Sequence, residues 1–127
     1  MEYVVIITVL ALAQFIFFGI RVGQMRGKHS VSAPEIIGDP EFMRMFRVHQ
    51  NTLEQLIVFL PALWIFVDYW EETWGAAIGL IFIASRQVYY LGYMKDPKAR
   101  GMGFGLGFAT LAVLLVGALA GAVKAMF

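Results

Sequence analysis

The sequence predicts an all-α integral membrane protein: an up-down bundle of four helices making one domain. Three observations lead there. Charged residues make up 15% of the 127-residue chain and hydrophobic ones 60%, against about 25% charged in an ordinary soluble domain. Four apolar stretches occur, each near the ~20 residues that cross a ~30 Å hydrocarbon core. The ionisable residues that do fall inside those stretches recur at helical spacing.

Composition also excludes several functions. The formal net charge of +1 leaves no electrostatic case for a nucleic-acid partner. There are no cysteines, which removes disulfides and thiolate metal sites, and no metal is expected. Any thiol used here has to arrive with a substrate.

The first helix is expected over about residues 3–22, built on the uncharged run at positions 3–20. A cleaved signal peptide is disfavoured, since the chain opens Met1-Glu2 without a basic leader and the apolar run is too long. From 21 to 40 the composition turns to basic, Gly, Ser and Pro residues and reads as a connection, with Arg26, Lys28, His29 and the turn-prone Gly38-Asp39-Pro40. The second helix is expected over 42–69, long enough at ~1.5 Å per residue for its start to stay wet in the interface. Pro61 removes a backbone donor within it and is expected to kink it. An acidic turn with Asp68, Glu71 and Glu72 follows, bordered by Tyr69, Trp70 and Trp74, rings that favour the membrane–water boundary.

The third helix is expected over 74–94 with Arg86 in its interior. A basic connection with Lys95, Lys98 and Arg100 leads to the fourth, over 102–123. Its Gly103/Gly107 and Gly117/Gly121 pairs allow close helix packing and carry no functional meaning by themselves. Basic residues concentrate in the first and third connections and are absent from the second. The positive-inside rule therefore assigns those two to the cytoplasm, and the short loops point to a bacterial inner membrane.

Arg44, Arg47, Asn51 and Glu54 follow one another at intervals of three, four and three residues, an arc of about 80° on the second helix. Arg86, Tyr89 and Tyr93 share a face of the third. An ionised group at mid-bilayer costs at least about 3 kcal/mol, so neither face turns to lipid. Glu54 and Arg86 fall at similar depths, which predicts a buried ion pair between them. Arg26, Arg44, Arg47 and Arg100 leave a surplus of guanidinium groups at one mouth of the bundle. Such a basic cleft with hydroxyls and one carboxylate suits a small anion of peptide or amino-acid type: arginine grips carboxylates in bidentate fashion, and Glu54 would hold an amine.

Pro40-Glu41-Phe42-x-Arg44-x-x-Arg47-x-x-x-Asn51-x-x-Glu54 resembles the second-helix signature of the membrane-associated eicosanoid and glutathione metabolism (MAPEG) family. Arg86-x-x-Tyr89-x-x-x-Tyr93, followed by Arg100, resembles the third-helix end of its microsomal glutathione transferase and leukotriene C synthase branch. The resemblance implies a homotrimer in the membrane lipid with glutathione as co-substrate between subunits. It implies that Arg47, Asn51, Glu54, Tyr89 and Tyr93 hold the tripeptide, with Arg26 closing over it and His49 reaching in from a neighbour. Arg100 would stabilise the thiolate that attacks a hydrophobic electrophile or lipid hydroperoxide, while Arg44 and Arg86 would be structural or binding. Gln55 stands where leukotriene C synthase has tyrosine, Gly27 where it has a second loop arginine, and Ser30 where a further arginine is found, so a general transferase or peroxidase is implied over a leukotriene-specific one. The non-catalytic five-lipoxygenase-activating relative lacks the equivalents of Arg47, Glu54 and Arg100, all retained here. The other readings are a non-enzymatic scaffold or lipid-ligand carrier of the same fold and, resting on Glu54 alone, a small ion or amine transporter.

Overall fold

The computed structural model describes residues 1–127. Helix α1, Glu2–His29, runs well past its apolar run, through residues expected to lie in a connection. No helix breaker intervenes before Ser30, whose left-handed backbone (φ 54°) closes the helix with its N–H on the Arg26 carbonyl. Arg26, Lys28 and His29 occupy the last turn, where the negative end of the helix dipole favours cations. The change in composition near Arg21 therefore does not end the helix, whose Val22 and Met25 stay buried in the bundle beyond it. Because Ser30 carries a Cβ in a region that suits glycine, Ser30→Gly is expected to raise stability by about 0.5–1 kcal/mol or leave it unchanged. A clear drop in the thermal unfolding midpoint would contradict this.

Helix α2, Pro40–Tyr69, starts where its chemistry says it should. The Asp39 side chain accepts the Glu41 N–H at 2.8 Å, and Pro40 takes the first helical position, where its missing N–H costs nothing. Lys28 Nζ and His29 Nε2 both reach Glu41 Oε1, at 2.9 and 2.7 Å, and tie the end of α1 to this turn. The helix continues without a break through Pro61, which lies on its exposed side. Helix α3, Glu72–Lys95, follows after two residues, and a short 3-10 turn at Pro97–Arg100 leads into α4, Gly101–Met126. Glu72 Oε1 also accepts the Val4 N–H at 3.1 Å, capping the open start of α1 from a neighbouring helix.

Contacts between elements define the topology. Pairs linking α1 to α3 keep a constant separation, 68 or 69 residues (Val4 with Glu72, Gln14 with Ile83, Arg21 with Tyr90), so these helices run parallel. Between α2 and α3 the order reverses, from Phe59 on Phe82 to Asn51 on Arg86, so they are antiparallel. Helix α4 packs beside α2 and α3, on the far side of the bundle from α1. The result is the expected up-down four-helix bundle.

Its exterior is apolar. Ile6, Val9, Ile16, Ile57, Leu80, Leu91, Val116 and Leu119 are all exposed, and only 31 of 127 residues are buried, so the greasy outer surface calls for lipid. Helices α1, α2 and α4 are each long and apolar enough to cross a membrane. Helix α3 is long enough at 24 residues, but its second half is diluted by Ser85, Arg86, Gln87 and three tyrosines.

Those polar residues sit in a layer. One apolar cluster, with Val4, Ile7, Phe59, Leu63, Phe82 and Leu114, fills the half of the bundle near the chain ends. A second, with Phe18, Phe42, Met45, Val48, Tyr89 and Tyr93, fills the other half. Between them in every register lie Gln14, Asn51, Thr52, Ser85, Arg86 and Gln87. Helix α4 closes on this layer through glycine. A Cβ at Gly103 would run into the Tyr89 backbone nitrogen and lie 2.6 Å from its Cα, and one at Gly107 would stand 3.0 Å from Ser85 Oγ. At Gly103, where the obstacle is backbone, only hydrogen lets α4 approach α3 so closely, and at Gly107 it leaves room for the Ser85 hydroxyl.

Candidate active site

That close approach has a consequence at the start of α4. It brings Arg100, Gly101 and Phe104 against Tyr89 of α3, opposite Arg47 and Asn51 of α2. Together they line a cleft of about 230 Å³ with no carboxylate in its wall. Arg47 and Arg100 are exposed and free of ion pairs, so both guanidinium groups are available to an anion. Tyr93 stands beside the cleft, stacked on Tyr89 with ring centroids 5.6 Å apart, and the Arg100 guanidinium lies 5.9 Å from its ring centre.

Arg86 lies inside the bundle behind this wall, fully buried. Its Nη2 donates to Asn51 Oδ1 and to Thr52 Oγ1, both at 2.9 Å, and its guanidinium carbon is 4.3 Å from the Tyr89 ring centre. The expected ion pair with Glu54 does not form. Thr52, Asn51 and Glu54 fan out around α2 in that order, by about 100° and then about 60°. With Thr52 turned fully inward, Asn51 takes the rim and Glu54 points out of the bundle, exposed and without a partner in the chain. Coulombic preference between Arg86 and Glu54 is overruled by the rotation that buries Val48, Thr52 and Phe59.

Arg26 and His49 lie on a different face, between α1 and α2. His49 stacks on Phe15 with ring centroids 4.5 Å apart, and its Nε2 fills the space a Cβ at Gly19 would need. Arg26 lies 4.9 Å above the Phe42 ring, with Nη1 donating to the Glu35 carbonyl at 2.6 Å. Arg44 is half-buried, and its Nε has no partner. Arg47, Asn51, Tyr89 and Arg100 are thus gathered in one cleft, while Arg26 and His49 cannot reach it within the same chain. Sequence reasoning missed Thr52 and Phe104, and read Gly103 as a packing glycine only. A threonine beside an intramembrane asparagine is a usable signal for the first, whereas Phe104 carried none.

An apolar groove lies along the α2/α4 face. One turn beyond Asn51 and Phe104, Gln55, Phe108, Leu111 and Ala112 line a space of about 450 Å³. Ala112 and Val116 also border the next, about 480 Å³, which ends at Phe66 and Trp70. An apolar, lipid-facing furrow therefore begins about one helical turn from the guanidinium-rich cleft.

The fold and the cleft define a membrane-spanning four-helix bundle with a guanidinium-rich cleft at one end. The chain belongs to the MAPEG family, whose model matches residues 4–120. It is 37% identical over 114 residues to microsomal glutathione S-transferase 2 of Homo sapiens, spanning 89% of this chain and 78% of that protein. An uncharacterized protein of Synechocystis is 40% identical over 114 residues, spanning 90% of this chain and 83% of the other. Leukotriene C4 synthase of Cavia porcellus is 33% identical over 94 residues, covering 74% and 63%.

Proposed function

We propose that the protein is a glutathione-dependent transferase and peroxidase of the membrane, which activates the glutathione thiolate against lipophilic electrophiles and lipid hydroperoxides. The observation that carries this reading is the pairing of Arg47 and Arg100 in a carboxylate-free cleft one helical turn from an apolar groove. Membership of the MAPEG family and likeness to a microsomal glutathione transferase support glutathione as the co-substrate.

The chemistry follows from the donors present. Glutathione carries two carboxylates, two peptide groups, an ammonium and a thiol. Guanidinium groups suit its carboxylates, Asn51 and Tyr89 suit peptide oxygens, and the unpaired Glu54 suits the ammonium. A thiol of ordinary pKa near 8.5 is only about 3% ionised at neutral pH. Lowering that pKa by ~2.5 units takes about 3.4 kcal/mol of preferential stabilisation of the anion. Arg100, beside the cleft mouth and free of ion pairs, is the group assigned to it. In conjugation the thiolate sulfur forms a bond to carbon as the leaving group departs with its electrons. In peroxide reduction the sulfur attacks the hydroperoxide oxygen, the lipid leaves as its alcohol, and a second glutathione completes a disulfide with loss of water.

The cleft of one chain is small for a tripeptide, and Glu54 faces outward into what would otherwise be lipid. Both facts favour assembly. In the homotrimer we propose, the α1/α2 face of a second copy, with its Arg26 and His49, covers the α2/α4 face of the first, and glutathione lies between them. The first and third connections face the cytoplasm of a bacterial inner membrane in this arrangement. The test is turnover of a chlorinated nitrobenzene and of a lipid hydroperoxide by detergent-solubilised protein with glutathione. Glutathione should also raise the thermal unfolding midpoint, and this shift should vanish in Arg47→Ala and shrink in Glu54→Gln. A shift of equal size in all three proteins, with no turnover, would favour a non-enzymatic scaffold or lipid carrier of the same fold.

A further inference from the structure

Arg86 is the one fully buried charge in the bundle, and the thiolate chemistry above does not use it. It makes no ion pair within the chain, and its Nε and Nη1 have no hydrogen-bond partner. An intramembrane cation held so expensively calls for a role.

Its bond to Asn51 supplies one. A guanidinium has five N–H donors and no acceptor, so the atom of Asn51 that faces it must be the carbonyl oxygen. The two ends of an asparagine amide are ordinarily hard to tell apart by shape alone, but here the donor-only neighbour decides. Thr52 strengthens the arrangement, since its hydroxyl donates to the Val48 carbonyl at 2.7 Å and presents only its lone pairs to Arg86. Asn51 Nδ2, which bonds nothing in the chain, is left to the cleft that Asn51 lines with Arg47, Tyr89 and Arg100.

We infer that Arg86 is a positioning residue that locks the Asn51 amide with its NH2 toward the cleft, so that the ligand must present an oxygen acceptor, a peptide carbonyl or a carboxylate, at that point. The same guanidinium backs the Tyr89 ring at 4.3 Å and steadies the adjoining wall. The inner wall of the cleft then consists of donors: two guanidinium groups, one amide NH2 and one phenol that can turn either way. Such a wall reads the oxygens of an acidic peptide and rejects its ammonium, which is sent to the Glu54 side. The inference deepens the proposed function and rests on its reading of glutathione as the ligand.

The experiment measures glutathione binding by calorimetry, together with KM for glutathione and kcat, on the full chain in detergent. Asn51→Asp keeps an oxygen toward Arg86 and gains an ion pair with it, so the fold is retained, but it offers the cleft an oxygen in place of NH2. Its glutathione KM is expected to rise at least about tenfold, by more than kcat falls. Arg86→Gln carries an amide that can donate or accept and no longer dictates the orientation of Asn51, so its KM is expected to rise about three- to tenfold. Arg86→Lys, again donor-only, should recover part of that loss. A purely structural Arg86 would lower the thermal midpoint in Arg86→Gln and leave the KM of the folded protein alone. Unchanged KM in Asn51→Asp overturns the inference even if Arg86→Gln does not fold. If the wild-type protein fails to bind glutathione at all, the proposed function falls and takes this inference with it. Wild-type binding with equal binding by Asn51→Asp sinks the inference alone.

Discussion

Replacing Arg100 with alanine is expected to return the bound glutathione thiol to an apparent pKa near its free value of about 8.5, from about 6 in the wild-type protein. At pH 7 the ionised fraction then falls from about nine-tenths to about 3%, a loss of roughly thirtyfold. The direct measurement is the ultraviolet thiolate absorbance of the complex as a function of pH. Turnover should fall less than ionisation does. A thiolate of higher pKa is the better nucleophile, with a Brønsted slope of about 0.4–0.5 in thiol exchange, which gives back about tenfold of the loss for a shift of ~2.5 units. The diagnostic is therefore the acid limb of the pH–rate profile, which should move to higher pH by that shift, with the variant's profile crossing above that of the wild type once its own thiol is largely ionised. An Arg100→Ala profile that keeps its wild-type shape at reduced height would mean that Arg100 grips a carboxylate and leaves the thiol to another group. Arg100→Lys separates the two roles further, because a lysine keeps the charge and loses the bidentate fork.

The second large effect is expected at Gly103, a position with no polar atom beyond its backbone. A methyl group there collides with the backbone of Tyr89, and backbone cannot yield as a flexible side chain can. Gly103→Ala should therefore force α4 away from α3 and cost about 1–3 kcal/mol, the usual penalty for overpacking. The displacement carries Phe104, one residue on, and the Arg100 turn just before it out of line with Tyr89 and Arg47, so activity should fall with stability. Gly105, two residues along the same helix, has nothing within 4 Å of its Cβ position. Gly105→Ala is thus expected to be neutral or stabilising by up to about 1 kcal/mol through helix propensity. Thermal midpoints and turnover of the two variants, measured side by side, decide the matter. Equal behaviour would remove the glycine contact as the device that shapes the cleft.

The cleft shows where sequence reasoning reaches and where it stops. The spacing of Arg47, Asn51 and Tyr89 nominates them, because polar groups in an apolar chain have few places to go, while Arg100 is nominated by its place in the basic connection and by the family resemblance. The same reasoning paired Arg86 with Glu54, since depth and charge matched. Depth is set along the helix axis and can be counted; rotation about the axis is set by which side chains the neighbours bury. Thr52 won the inward position, and Glu54 went to the outside. The end of α1 was misplaced for a related reason. Arg21, Arg26 and Lys28 look like a loop beside an apolar run, although Phe18, Val22 and Met25 carry the buried face on at helical spacing.

The chain alone determined the solvent it folds in, the number of its helices, the helical face on which its polar residues fall, and its family. Each of these depends on composition or on a one-dimensional period, which no neighbour can alter. Tertiary structure decided which edge of each polar face turns inward, that Arg86 binds an asparagine and a threonine in place of a carboxylate, and that Gly103 and Gly107 close the cleft. Those are outcomes of packing between helices far apart in sequence, where a rotation of one residue step, about 100°, exchanges a buried partner for an exposed one.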